Sequence, residues 1–176
     1  LAEAPSAQLV ETLKSDNMLW RKHAQRLLVE RGDTSVVPAL LELASDSSVD
    51  EIGLNTAAIH ALWTLEGLGA FDGKHPEALQ AARAALAHPS AGVRRNAIQV
   101  QPAEADSVAA ILEHNLLADP HPQVRLAALL ALADLPQGSD SAGEKLAGGK
   151  RQDRAKGACP QPAPDGHRHP CAVLSR

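Results

Sequence analysis

The chain has 176 residues, a mass of 18.5 kDa, a formal net charge of −4 and a pI near 6.0. Its lysines and arginines are scattered, so the basic stripe that neutralises a phosphate backbone is missing and nucleic acid is not expected as a partner. No run reaches the ~18 consecutive apolar residues of a membrane span, and a hydrophobic content of 44% with only 2% aromatics suits helices packed through Ala and Leu.

In chain order, "SAQLVETLKS" from Ser6 is a short amphipathic segment. A longer helical pattern follows from about residue 17, containing "WRKHA" (Trp20 to Ala24), Leu27 and Leu28. Asp16 and Asp33 stand where side-chain oxygens would cap helix starts, and Gly32 follows a helical run as a left-handed C′ residue would. "TSVVPALLELAS" from Thr34 is the next short segment, with Pro38 in its first turn. "LNTAA" (Leu54 to Ala58) then opens a stripe continued by Ala61, Leu62 and Leu65, closed by Gly67 and Gly69 in the same C′ role. "PEALQAARAALAH" begins at Pro76, a residue suited to a first helical turn, and "VRRNA" (Val93 to Ala97) belongs to a helix starting near 90. "DSVAAILEHNLLA" from Asp106 precedes the last long pattern, which starts near 121 with "VRLAA" (Val124 to Ala128) and continues through Ala131, Leu132 and Leu135.

The four short strings share one form: a large apolar residue, then Ala four positions on. Their first residues, 20, 54, 93 and 124, are spaced by 34, 39 and 31 positions, the range of stacked helical pairs. The expected fold is therefore all-α: a right-handed α-solenoid of four helix–turn–helix units over residues 1–136, with second helices starting near 17, 54, 90 and 121. Ala24, Ala58, Ala97 and Ala128 are the small residues that let helices cross closely. Residues 137–150 read as a short helix or linker, and the Pro-rich 151–176 as a disordered tail.

Chemistry-bearing residues are dispersed. No G-x-S-x-G elbow, Gly-rich phosphate loop or H-E-x-x-H is present, so neither an enzymatic reaction nor a cofactor is expected. Glu30 and Glu66 read as solvated surface and His23 as a helix-flank residue. Cys159, His167, His169 and Cys171 could supply four tetrahedral zinc ligands, but C-x7-H-x-H-x-C matches no zinc-finger spacing, and a tail without metal is the reading adopted. The chain starts at Leu1 rather than Met, which reads as a piece of something longer and leaves the compartment open.

Helical phase separates the two tryptophans. Taking about 100° per residue from the repeat alanine, Trp20 falls in the core stripe and is expected buried. Trp63 falls opposite, on the concave face alongside Val29, Pro102 and Ala133, with His60 aligned to Arg26 and Gln99. An exposed Trp on a rigid helix is a frequent interface anchor, so Trp63, His60 and Arg26 form the candidate partner site for a protein or an adjacent domain. The other reading of Trp63 is packing against a neighbouring second helix. Neither end of the array has an evident polar cap, so self-association through the ends is expected as well.

"DPHPQVRLAALLALADL", Asp119 to Leu135, closely resembles the HEAT repeat, with Asp119 in the turn and Val124, Arg125 and Ala128 opening the second helix. Val93, Arg94 and Ala97 match in part, with His88 at the Asp position. The resemblance implies an armadillo-like interaction scaffold and an Asp–Arg ladder between repeats, with Asp119 and Arg21, Arg94 and Arg125 as its members; Asn55 interrupts it. More narrowly, "LWRKHAQRLLVERGD" (Leu19 to Asp33) and "HALWTLEGLG" (His60 to Gly69) resemble the HEAT segment of PVC-type exported bacterial proteins that join a sugar-dehydrogenase-like β-propeller, a helical array and a c-type cytochrome. That resemblance implies a periplasmic or exported chain that positions other domains, with the propeller and haem site outside these residues. The competing reading is a HEAT-like enzyme or cofactor-handling protein, similar to the bilin lyases or the helical DNA glycosylases, with a site on the concave face.

Overall fold

The computed structural model describes residues 1–134. The segment 137–150, the tail 151–176 and the ligand set Cys159, His167, His169 and Cys171 lie outside the described residues. Eight α-helices make up the described part, with no strand among them: α1 (Ser6–Thr12), α2 (Met18–Arg31), α3 (Val37–Ser45), α4 (Thr56–Gly67), α5 (Pro76–Ala84), α6 (Ala91–Val100), α7 (Ala105–Glu113) and α8 (Pro122–Ala133). None of them is long and apolar enough to cross a membrane.

The helices pair as α1 with α2, α3 with α4, α5 with α6 and α7 with α8. Second helices also stack in series, α2 on α4, α4 on α6 and α6 on α8, while α1 packs on α3 and α3 on α5. Ala24, Ala58, Ala97 and Ala128 are each 0% exposed, at equivalent points of the four second helices. One continuous core runs from Leu9 to Ala128 through this column. A methyl side chain at the crossing lets neighbouring backbones approach closely, which is why the alanine recurs.

Three details depart from the sequence reading. Asn17, not Asp16, caps α2, its side chain accepting from the Leu19 N–H, whereas Asp33 caps the 3-10 turn Thr34–Val36 through Ser35. Gly67 is the last residue of α4 and not a left-handed terminator; Gly32 and Gly69 are the ones with φ of 62° and 69°. The requirement at Gly67 is space, since a Cβ there would lie 2.6 Å from Val29 Cγ2 of α2.

The third concerns Trp20, which is 47% exposed where burial was expected. Val93 and Val124, its equivalents in the third and fourth units, are 0% exposed. In those units the first helix is followed by a 3-10 turn, Ala85–Ala87 or Leu116–Ala118, which packs on the second helix. The first unit has no such turn after α1, so nothing equivalent covers the start of α2, and Met18 and Leu19 are exposed with Trp20.

Candidate interaction face and inter-repeat contacts

The turns within each unit are held by one recurring device. An arginine at the start of the second helix folds back and donates Nη1–H to the carbonyl six residues earlier: Arg21 to Ser15, Arg94 to His88 and Arg125 to Asp119. Arg94 and Arg125 also reach the following carbonyls, of Pro89 and Pro120. Asn55 stands in for the arginine in the second unit, whose turn is longer. Its Nδ2 donates to the carbonyls of Asp46 and Ser48 while its Oδ1 accepts from the Ala58 N–H. One amide thus closes the turn and caps α4.

Between units the contacts differ at each step. Arg94 Nε and Nη2 donate to Asp119 Oδ2 and Oδ1 at 2.8 and 3.0 Å, joining the third unit to the fourth. The paired side chains are only 14% and 5% exposed. Burial raises the Asp119 pKa, but hydrogen bonds from Arg94 and the His121 N–H, with the charges of Arg94 and His121, outweigh it and hold the carboxyl below its ordinary value. One step earlier His88 does the joining. Its Nδ1 accepts from the Ser90 N–H, which leaves Nε2 as the donor to the Asp46 carbonyl at 2.9 Å. Arg21 and Arg125 make no inter-unit ion pair among the described residues: their hydrogen bonds go to carbonyls of their own turns, and the Asp46 side chain is held by Ser48.

The face formed by the second helices carries two grooves, and Trp63 lines both. The first, about 390 Å³ between α2 and α4, is bordered by Lys22, Arg26, Val29, Glu30 and Glu66. Its charges are mixed and open to solvent, with Arg26 and Glu30 3.4 Å apart and each about 60% exposed. The second, about 410 Å³ where α6, α7 and α8 meet, is mainly apolar and lined by Ile98, Pro102, Val108, Ile111 and Leu130, with Gln99 and Asp134 at its polar edge.

Trp63 itself is half-buried against the core, and its Nε1–H donates to Asn96 Oδ1 of α6 at 2.7 Å. Asn96 in turn donates to the Gly92 carbonyl. The freely exposed indole is thereby corrected: helical phase placed Trp63 away from its own helix's core stripe, yet the next second helix takes up one side of the ring. Of its expected companions, Arg26 and Val29 share the first groove and Gln99 and Pro102 the second. His60 borders neither groove as described. It is linked to the first through Gln25, whose Oε1 lies 2.7 Å from His60 Nδ1. Burial, then the positive charges of Arg21 and Lys22, lower the His60 pKa. Asn96, Gln25 and the apolar lining from α7 were absent from the sequence reading; the spacing of each from the repeat alanine was visible, but not which neighbouring helix it would meet.

Among the described residues, no group of three or more His, Cys, Asp or Glu side chains could hold a metal ion. What the geometry defines is an α-solenoid, a linear stack of helical pairs that presents one continuous face of second helices. A family model for HEAT repeats matches residues 6–101, and a HEAT-repeat model matches residues 110–135. The chain belongs to the HEAT-repeat family. No curated protein and no solved structure gives a match.

Proposed function

We propose that this chain is a non-catalytic scaffold whose second-helix face, divided by Trp63, holds a protein partner or an adjacent domain of a larger chain. The observation that carries the reading is the position of Trp63, a half-buried indole fixed by Asn96 that forms a wall of both grooves. A rigid aromatic with one side still open supplies contact area at little conformational cost, the usual property of an interface anchor. Arg26 adds an adaptable charge on one flank and the apolar lining around Ile98 and Leu130 a hydrophobic seat on the other. The exposed Arg26–Glu30 pair suits a binding surface better than acid–base chemistry, which needs desolvated carboxylates.

The resemblance of Leu19–Asp33 and His60–Gly69 to the array of PVC-type exported proteins supports a place between domains of an exported electron-transferring molecule. Ends without a polar cap would also let the chain associate with itself. Site-specific photo-crosslinking tests the face. A photoreactive residue at Arg26 or Gln99 should capture a partner from extracts of the source organism, and one at Glu42 on α3 should not. Capture from Glu42 alone would place the interaction on the other row of helices and end the proposal.

A further inference from the structure

We infer that the cavity between α5 and the connection leading into it from α4 is a binding site for a small monocarboxylate with an apolar body. The cavity shares no lining residue with the two second-helix grooves, and the inference does not rest on the function proposed for them. Ala78 and Ala82 of α5, both 0% exposed, face the core. Pro76, Leu79, Gln80 and Arg83, at i, i+3, i+4 and i+7, therefore share another face of the same helix, and all four line the cavity. The opposite wall is the connection from α4. Phe71 packs in part against the core, and Gly73, with φ of 92°, turns the backbone past the cavity in a conformation that other residues rarely adopt.

Arg83 gives the cavity its chemistry. Arg21, Arg31, Arg94 and Arg125 each donate to backbone carbonyls. Arg83 is different: among the described residues its Nε is buried without a hydrogen-bond partner, and its Nη2 stands 3.8 Å from Asp106 Oδ2, beyond hydrogen-bond range. The Asp106 side chain is 81% exposed, so solvent screens the opposing charge. The other charges beside the cavity are paired, Lys74 with Asp72 at 2.9 Å and His75 Nδ1 with Glu77 at 3.1 Å. A guanidinium with donors to spare takes a carboxylate through two parallel hydrogen bonds, and partial desolvation strengthens the attraction. The walls select what the carboxylate is carried on. Phe71, Pro76 and Leu79 offer nothing to the further oxygens of a phosphate and suit a hydrocarbon body. The volume, about 240 Å³, sets the size. It is about eight times the share of one water, room for an acid of roughly eight to ten non-hydrogen atoms.

Titration of the full chain with isocaproate at about pH 7, followed through the backbone amide NMR signals, tests the inference. The signals of Gly73, Leu79 and Gln80 should shift and saturate with a Kd on the order of 1 mM, while those of Trp63 and Gln99 in the grooves stay in place. Isocaproamide keeps the body without the charge and should bind about tenfold more weakly or worse; acetate keeps the charge without the body and should be weakened as much. Arg83→Gln should erase the preference for acid over amide, and Arg83→Lys should keep part of it, since a point charge remains without the fork. Asp106→Asn removes the competing carboxylate and should tighten isocaproate binding about two- to fivefold. Equal affinity for the acid and the amide would overturn the inference, as would no saturable shift up to about 50 mM, or a preference for the acid that survives Arg83→Gln in a chain of unchanged circular dichroism. The acid–amide comparison and Asp106→Asn decide the matter whatever Arg83→Gln does to the fold.

Discussion

Replacing Asp119 removes the one buried ion pair that joins two repeats among the described residues, and its cost can be worked from the contacts. In Asp119→Ala, Arg94 loses two charge-assisted hydrogen bonds at 2.8 and 3.0 Å and the His121 N–H loses its acceptor, while the Arg94 Nη1 contacts to His88 and Pro89 remain. Removing one member of a buried pair costs about 3 to 5 kcal/mol when the other is left without partners. Because Arg94 keeps two carbonyls, the expected loss falls below that range, at about 2 to 3 kcal/mol, in line with hydrogen bonds to charged groups. In urea this should move the unfolding midpoint down by about 1 to 2 M. Arg94→Met combined with Asp119→Leu, which leaves no unpaired charge, should recover much of the loss.

The pH dependence of the same pair is fixed in sign. The folded Asp119 pKa lies below its ordinary value, so the unfolded chain binds the proton first as pH falls. The stabilisation is complete above about pH 4 to 5 and is lost progressively below that. Asp119→Asn should lack this acid limb, its stability curve approaching that of the wild type at low pH. A loss under about 0.5 kcal/mol, together with wild-type and Asp119→Asn curves that stay parallel from pH 6 to 3, would refute the account of Arg94–Asp119 as a buried clamp.

Gly67→Ala should destabilise by about 1 to 3 kcal/mol through the 2.6 Å approach to Val29, and Val29→Ala in the same chain should reverse part of that; an unchanged midpoint in Gly67→Ala would contradict the close crossing of α2 and α4. His60 has a lowered folded pKa, so stability should fall as pH drops through about 6.5, and His60→Gln should flatten the melting temperature between pH 7.5 and 5.5; an equal slope in both proteins would rule out His60 as the source. Acrylamide should quench Trp20 in a Trp63→Phe chain more strongly than Trp63 in a Trp20→Phe chain, and the reverse order would restore the burial expected from helical phase.

The repeat was legible because its physical cause is local and recurrent. An alanine buried at every crossing leaves a mark at fixed helical phase, and Ala24, Ala58, Ala97 and Ala128 carry it through turns of unequal length. What escaped was everything decided by a neighbour. Trp20 occupies the same position as Val93 and Val124, yet its exposure depends on a 3-10 turn that only the later units possess. Trp63 was phased correctly against its own helix, but a helical wheel contains no α6 and therefore no Asn96. Gly67 looked like a helix terminator because glycines after helices commonly are, and only the approach of Val29 reveals its role. The candidate partner site was legible to the same degree: Trp63 and Arg26 share a groove, whereas His60 joins it only through Gln25, a link across helices that spacing alone does not encode.

Both grooves exist only if the second helices stack with the four alanines at their crossings. The most direct test is Ala→Leu at Ala58 and Ala97, measured by urea unfolding beside the same change at the exposed Ala109 of α7. Overpacking at a 0% exposed crossing should cost about 1 to 3 kcal/mol at each of the two buried sites, and Ala109→Leu should stay within about 0.5 kcal/mol of the wild type. Losses near zero at Ala58 and Ala97, or a loss at Ala109 as large as theirs, would contradict the stacking on which the whole account stands.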